Sequence, residues 1–353
     1  MSIWEGRLRL AALAIAFAAL AFALAGYDRI SKESTLDKTA SLPATLTHCV
    51  GRFLIDLPAD FEQMLVSDVE LTYGLDKNFR TINVTVVRAA GSQPSFDGIV
   101  NKRVAELGAD YHFESASKTM LAFQHRPNQT TALIRSYDSR RLLDSYRSEY
   151  FVQHGAAVAV FAGRVYTDEQ PDPIEAKILK VVERTSFVPS PDKAGHGTCL
   201  GPLLIDAGQD GERFVLAFRA KSVPDVLIEI NMNSMLAKSD GGLLKRWDGK
   251  AGMLNKLDFQ SSTLRRGTVA VGGMPGEELL SKGKEHGHVV RGFTAEALQT
   301  KPATFSTPSL AISMNMGGQL ESSDYVDASW SDEGAVAIWD AIVKSIRPRP
   351  GAV

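Results

Sequence analysis

The stretch "THCVGRFLIDLP", Thr47–Pro58, returns later in the chain as "GTCLGPLLIDAG", Gly197–Gly208. Both contain Cys-x-Gly-x-x-Leu-Ile-Asp, and they hold the two cysteines of the protein, Cys49 and Cys199. A string repeated at this distance reads as an active-site element, a metal site, or the opening of two related domains. Structural zinc takes four ligands, and each cysteine stands alone in its string, so metal and Cys-x-x-Cys redox readings fail.

Outward from the strings, the same order of elements appears twice. In the first half, "SDVELTY" and "RTINVTVVR" alternate with the period of a half-buried strand, through Val69, Leu71 and Tyr73 and through Ile82, Val84 and Val86. Phe96, Val100, Val104 and Leu107 recur at helical spacing, with Gly108 as a stop. "TTALIRSYD" and "SEYFVQHGAAVAVFAGRVY" read as further strands, and Asp172 caps a helix that has Pro173 in its first turn. In the second half, "ERFVLAF", "DVLIEINM" and "SLAISMNM" alternate. A helix carries Leu243, Leu244, Trp247 and Leu254, and a final helix carries Ala335, Ile338, Trp339, Ile342 and Ile346. Aligning Ser186 with Ser345 also aligns Pro189 with Pro348. The pattern predicts an α+β protein of two tandem related domains, each a mainly antiparallel sheet with packed helices. The boundaries predicted are 46–189 and 199–350, with a Pro/Gly-rich linker over 190–198.

The chain has 353 residues, 44% hydrophobic and 23% charged, with a net charge of −2. That fills two cores without metal or several disulfides. Neither half is polarised: residues 46–189 carry 16 basic and 18 acidic groups. Phosphate neutralisation dominates nucleic-acid affinity, so this balance argues against a nucleic-acid partner. Arg7 and Arg9 precede the apolar run Leu10–Gly26, with Ala23-Leu24-Ala25 as a small-x-small site. Residues 1–26 read as a signal peptide or an uncleaved signal anchor, and 27–45 as a polar linker. Either way the bulk of the chain is expected outside the cytoplasm. Export and an even cysteine count point to a Cys49–Cys199 disulfide, worth about 4–5 kcal/mol in the chain-entropy picture. The alternative is two small buried thiols at equivalent positions.

No nucleophile elbow, Walker loop, dinucleotide fingerprint or His-Glu-x-x-His string is present. His286 and His288 lack a third ligand nearby in sequence. "VGGMPGEEL", Val271–Leu279, reads as a tight turn between strands, and neighbouring Glu277 and Glu278 point to opposite sides of a strand, which argues against an acid–base pair. The sequons at Asn83 and Asn128 carry no function. The expectation is a non-enzyme with neither cofactor nor metal.

Taken together, "HCVGRFLIDLP", "CLGPLLID" and "GGMPGEEL" resemble the immunity proteins against type VI secretion phospholipase effectors, over roughly residues 46–348. The resemblance implies a periplasmic protein, or one held at the inner membrane by its N-terminal segment. It also implies two α/β-type domains arranged as a claw that binds a cognate phospholipase and blocks it sterically. Loops usually carry binding, so Lys238, Ser239 and Asp240, and Met274, Pro275, Glu277 and Glu278, are the candidate partner contacts. A periplasmic solute- or lipid-binding module, an envelope hydrolase and an anchored structural protein are the rival readings.

Overall fold

The computed structural model describes residues 44–64, 68–74, 79–88, 95–166, 173–188, 190, 194–239, 241–254 and 261–353. The apolar run Leu10–Gly26, Asp172, Pro189 and Asp240 lie outside them. No described helix is long and apolar enough to cross a membrane.

The first half contributes strands β1 (Thr45–Gly51), β2 (Phe53–Pro58), β3 (Phe61–Gln63), β4 (Asp68–Tyr73), β5 (Arg80–Arg88), β6 (Leu121–Asn128), β7 (Thr131–Tyr137), β8 (Ser145–His154), β9 (Ala157–Tyr166) and β10 (Thr185–Phe187). Its helices are α1 (Phe96–Ala109) and α2 (Pro173–Glu183). The second half contributes β11 (Thr198–Leu200), β12 (Leu203–Ile205), β13 (Gly211–Ala220), β14 (Leu227–Asn233), β15 (Ser261–Val271), β16 (Met274–Glu285), β17 (His288–Ala297), β18 (Ser309–Met316), β19 (Gly318–Gln319), β20 (Tyr325–Val326) and β21 (Arg347–Pro348). Helices α3 (Leu243–Leu254) and α4 (Asp332–Ser345) complete it. The class is α+β with antiparallel pairing, as the alternation predicts.

Two compact units result. The N-terminal unit comprises Cys49–Arg52, Leu65–Phe214 and Pro350–Val353. The C-terminal unit comprises Phe53–Met64, Val215–Arg349 and the described residues up to His48. This division differs from 46–189 and 199–350, and the strand pairing gives the reason. In the C-terminal unit, β2 from the first Cys string pairs with β21 at the far end of the chain, through Phe53↔Pro348 and Leu54↔Arg347. In the N-terminal unit, β12 from the second string pairs with β10, through Ser186↔Leu204 and Phe187↔Leu203. Each half thus ends on a strand that pairs with the other half's Cys string.

Neither Cys string forms a single strand. Each is strand–turn–strand, bent at a glycine with positive φ, Gly51 at 61° and Gly201 at 55°, where a side chain's Cβ would be strained. Asp56 lies inside β2, whereas Asp206 directly follows β12.

In the N-terminal unit the sheet order is β4–β5–β9–β8–β7–β6. The alternating side chains face one another across the ladder, Val69 opposite Val84 and Leu71 opposite Ile82, all fully buried. Strand β9 is buried on both faces, so its sequence reads as a continuous apolar run. Helix α1 covers one face through Phe96, Val100 and Leu107. It starts at Ser95, whose hydroxyl accepts the Gly98 N–H at 3.2 Å, and it runs past Gly108 to Ala109. Helix α2 covers the other face. Its Ile174 and Ile178 fill the space over Gly163, where a Cβ would stand 2.8 Å from Ile174.

In the C-terminal unit the order is β15–β16–β17–β18–β14–β13, with β3 against β13. Ile228, Ile230 and Met232 oppose Met314, Ile312 and Leu310, and all six are buried. Helix α4 buries Ala335, Trp339, Ile342 and Val343. The Trp339 ring meets Phe293 edge to face at 5.8 Å.

Candidate partner-binding site

Of the sequence-predicted contact residues, Lys238, Ser239, Met274, Pro275 and Glu277 lie at one end of the C-terminal unit. Asn233 ends β14 by accepting the Met235 N–H on its side-chain oxygen at 2.8 Å, and the chain leaves as an exposed loop. Backbone bonds tie that loop to the segment after β17: Ala303 N–H to Leu236 O at 2.8 Å and Ser239 N–H to Gln299 O at 3.0 Å. The Leu298 N–H reaches Pro275 O at 2.8 Å, bringing in the β15–β16 hairpin. That hairpin turns through Gly272 and Gly273, at φ 61° and 79°, the two-residue turn whose twist suits paired strands. The predicted tight turn is therefore present.

Lys238, Ser239 and Pro275 are exposed, and Met274 and Glu277 are half-buried. The Glu277 carboxylate accepts the Leu244 N–H at 2.9 Å, placing negative charge at the start of α3, where the helix dipole favours it. Gly242 permits this approach, since a Cβ there would stand 2.3 Å from Glu277 Oε2.

Glu278 points the other way, as the strand period requires. It is 6% exposed, takes both Arg265 Nε and Nη2 at 2.7 and 3.2 Å, and accepts the Trp339 indole N–H at 3.0 Å. Arg265 also grips Asp340, so burial notwithstanding, its guanidinium is held far above the ordinary range by these two carboxylates. Glu278 is a holding residue of the core and is not available to a partner.

The cysteines come together in the N-terminal unit. Val50 pairs with Leu200 and Gly51 with Cys199, so the two strings face each other antiparallel. Cys49 and Cys199 are joined there with Cα atoms 6.0 Å apart. Beside them lies a pair that sequence reasoning did not find. Arg52, 4% exposed, donates to Glu212, fully buried, at 2.8 Å, and also to the Ala352 carbonyl. Gln209 donates to the same carboxylate at 3.0 Å. Arg52 is the residue after the glycine of the first string, and the second string has Pro202 there.

His286 sits in the turn between β16 and β17 with φ 49°, and His288 opens β17. Both rings lie over Tyr325, at 4.4 and 6.3 Å, and among the described residues no group of three His, Cys, Asp or Glu side chains is placed to hold a metal. Depressions of the C-terminal unit measure about 200 Å³ beside Asp56, Ile342 and Ser345, and about 420 Å³ beside Val269, Asp340 and Ile346.

Residues 193–351 match the family model described as the Tle cognate immunity protein 4 C-terminal domain. No curated protein sequence matches the chain. Among solved structures, the chain is similar to one titled the Tle4-Tli4 complex, at 25% identity and TM-score 0.62, covering 87% of this chain and 98% of that one. It is also similar to the T6SS immunity protein TplEi from Pseudomonas aeruginosa. For the apo form the identity is 24% and the TM-score 0.60, over 87% of this chain and 98% of that one. For the form complexed with "L" peptide they are 26% and 0.57, over 89% and 100%.

Proposed function

We propose, from the premise that residues 193–351 match a Tle cognate immunity protein 4 C-terminal domain, that this chain binds and sterically blocks a cognate type VI secretion phospholipase. The chain is an immunity protein of that kind. The observation that carries the reading is its likeness, over 98% of the matched chain, to a structure titled the Tle4-Tli4 complex. Protection comes from occlusion and not from catalysis. A lipid hydrolase exposes an apolar entrance, and a folded partner that buries a few anchors there within a polar rim denies lipid access.

The protein works in the periplasm, exported by residues 1–26 as a signal peptide or held by them at the inner membrane. Lys238, Ser239, Met274, Pro275 and Glu277 form one accessible contact cluster, with the neighbouring Asp240 as a further candidate. The Cys49–Cys199 bond secures the N-terminal unit in that oxidising compartment. The test is survival: the cognate phospholipase is expressed in the periplasm with and without this chain. Rescue is expected, and unaltered killing would reject the reading.

A further inference from the structure

Two loops of the N-terminal unit expose four large apolar side chains in one place: Tyr111 at 50%, Phe113 at 46%, Leu142 at 53% and Leu143 at 46%. Exposed apolar side chains grouped on loops that are bonded to each other mark an interaction site. The loops are pinned from beneath by His112, which is fully buried. Its Nδ1 accepts the N–H groups of Glu114 and Ser115 at 3.1 and 2.8 Å. That leaves the proton on Nε2, which donates to the Leu142 carbonyl at 3.2 Å. The ring packs on Tyr137 at 4.3 Å, and Tyr137 on Tyr146 at 5.1 Å. The Phe113 N–H bonds to Arg140 O at 2.9 Å, crossing between the loops. The backbone is thus fixed while the side chains face solvent, which lowers the entropy cost of docking.

We propose that this patch is a contact surface for the cognate lipase, a reading that rests on the proposed function. It receives apolar side chains from the rim through which a lipase admits lipid, and Arg141 receives a carboxylate. The Arg141 guanidinium lies 5.5 Å from the Phe113 ring centre and has no ion partner among the described residues. The aromatic–arginine composition is that of protein hot spots. The charge balance favours a protein over an anionic bilayer. Arg140 is paired with Asp110 at 2.7 Å, the Lys118 ammonium donates to Phe113 O at 2.6 Å, and Glu114 and Asp144 are exposed alongside. Adsorption to anionic lipid relies on clustered, unpaired basic residues.

The test uses the full chain carrying Leu142→Asp with Leu143→Asp, and separately Arg141→Glu. Titration calorimetry measures binding to the cognate phospholipase, circular dichroism checks the fold, and parallel arms measure vesicle cosedimentation (phosphatidylethanolamine with phosphatidylglycerol) and molar mass in solution. Expected are a Kd raised about 30-fold or more by the double variant and about tenfold by Arg141→Glu, with folding intact. Wild-type lipase affinity in both variants would overturn the proposal and leave the proposed function standing. The same holds if the variants lose only vesicle binding or only self-association. A wild-type chain that binds no lipase overturns both.

Discussion

Replacing Glu212 by Ala tests how the two Cys strings are held. The carboxylate is fully buried and bonded to Arg52, itself 4% exposed, and to Gln209. Its removal takes the carboxylate away from a buried guanidinium, and breaking such a pair from one side costs about 3–5 kcal/mol. Arg52 retains its bond to the Ala352 carbonyl, which places the expected loss near the lower bound, about 3 kcal/mol. For a unit of this size that is a fall in Tm of about 6–12 °C. The double variant Arg52→Met with Glu212→Leu removes both charges and replaces them with apolar volume, so it recovers more than half of the loss. Differential scanning calorimetry of the three proteins at pH 7.5 reads the result. A Glu212→Ala midpoint within 2 °C of wild type, or a double variant less stable than the single one, refutes the reasoning.

Further outcomes follow from the same structure. Reduction, or Cys199→Ser, opens a closure spanning 150 positions and lowers the stability of the N-terminal unit by about 5 kcal/mol in the chain-entropy picture. Intact mass after alkylation checks the bond, since alkyl groups on the unreduced, unfolded protein would contradict it. Gly272→Ala places a Cβ 2.9 Å from the Phe53 ring at φ 61° and is expected to cost about 1–3 kcal/mol, measured by urea unfolding; an unchanged midpoint would remove the strain argument. Burial lowers the His48 and His154 pKa below 6.5, so the unfolded chain binds protons first and stability falls as pH drops through about 6.5 and below. Asp332 and Glu175 add a second loss at lower pH. Burial raises their pKa, but bonds from Lys282 and Arg291 to Asp332, and from Arg135 and Ser148 to Glu175, outweigh it and leave both below 3.8 and 4.5. A thermal midpoint that is flat from pH 7.5 to 3.5 would contradict both steps.

The strands whose apolar residues alternate were legible because one face of each is buried: Ile82 and Val84, or Ile312 and Met314, repeat at period two. The same period separated Glu277 from Glu278 correctly, but it could not say which of the two faces inward; that depends on Arg265 and Trp339, supplied by other elements. The division into units was not legible. β10 and β21 are two or three residues long, and their partners are chosen by long-range pairing that carries no local signal. Arg52 and Glu212 are 160 positions apart, so neither declares itself buried. Tyr111, Phe113, Leu142 and Leu143 carry no periodic signal in the sequence; that all four face solvent is set by the two loops that present them.

Inhibition is tested by mixing the purified full chain with the cognate phospholipase and following phospholipid hydrolysis during titration. Hydrolysis is expected to fall to zero at a stoichiometric end point, with both proteins eluting as one complex in size-exclusion chromatography. Full hydrolysis in the presence of excess chain, with the two proteins eluting separately, would contradict it.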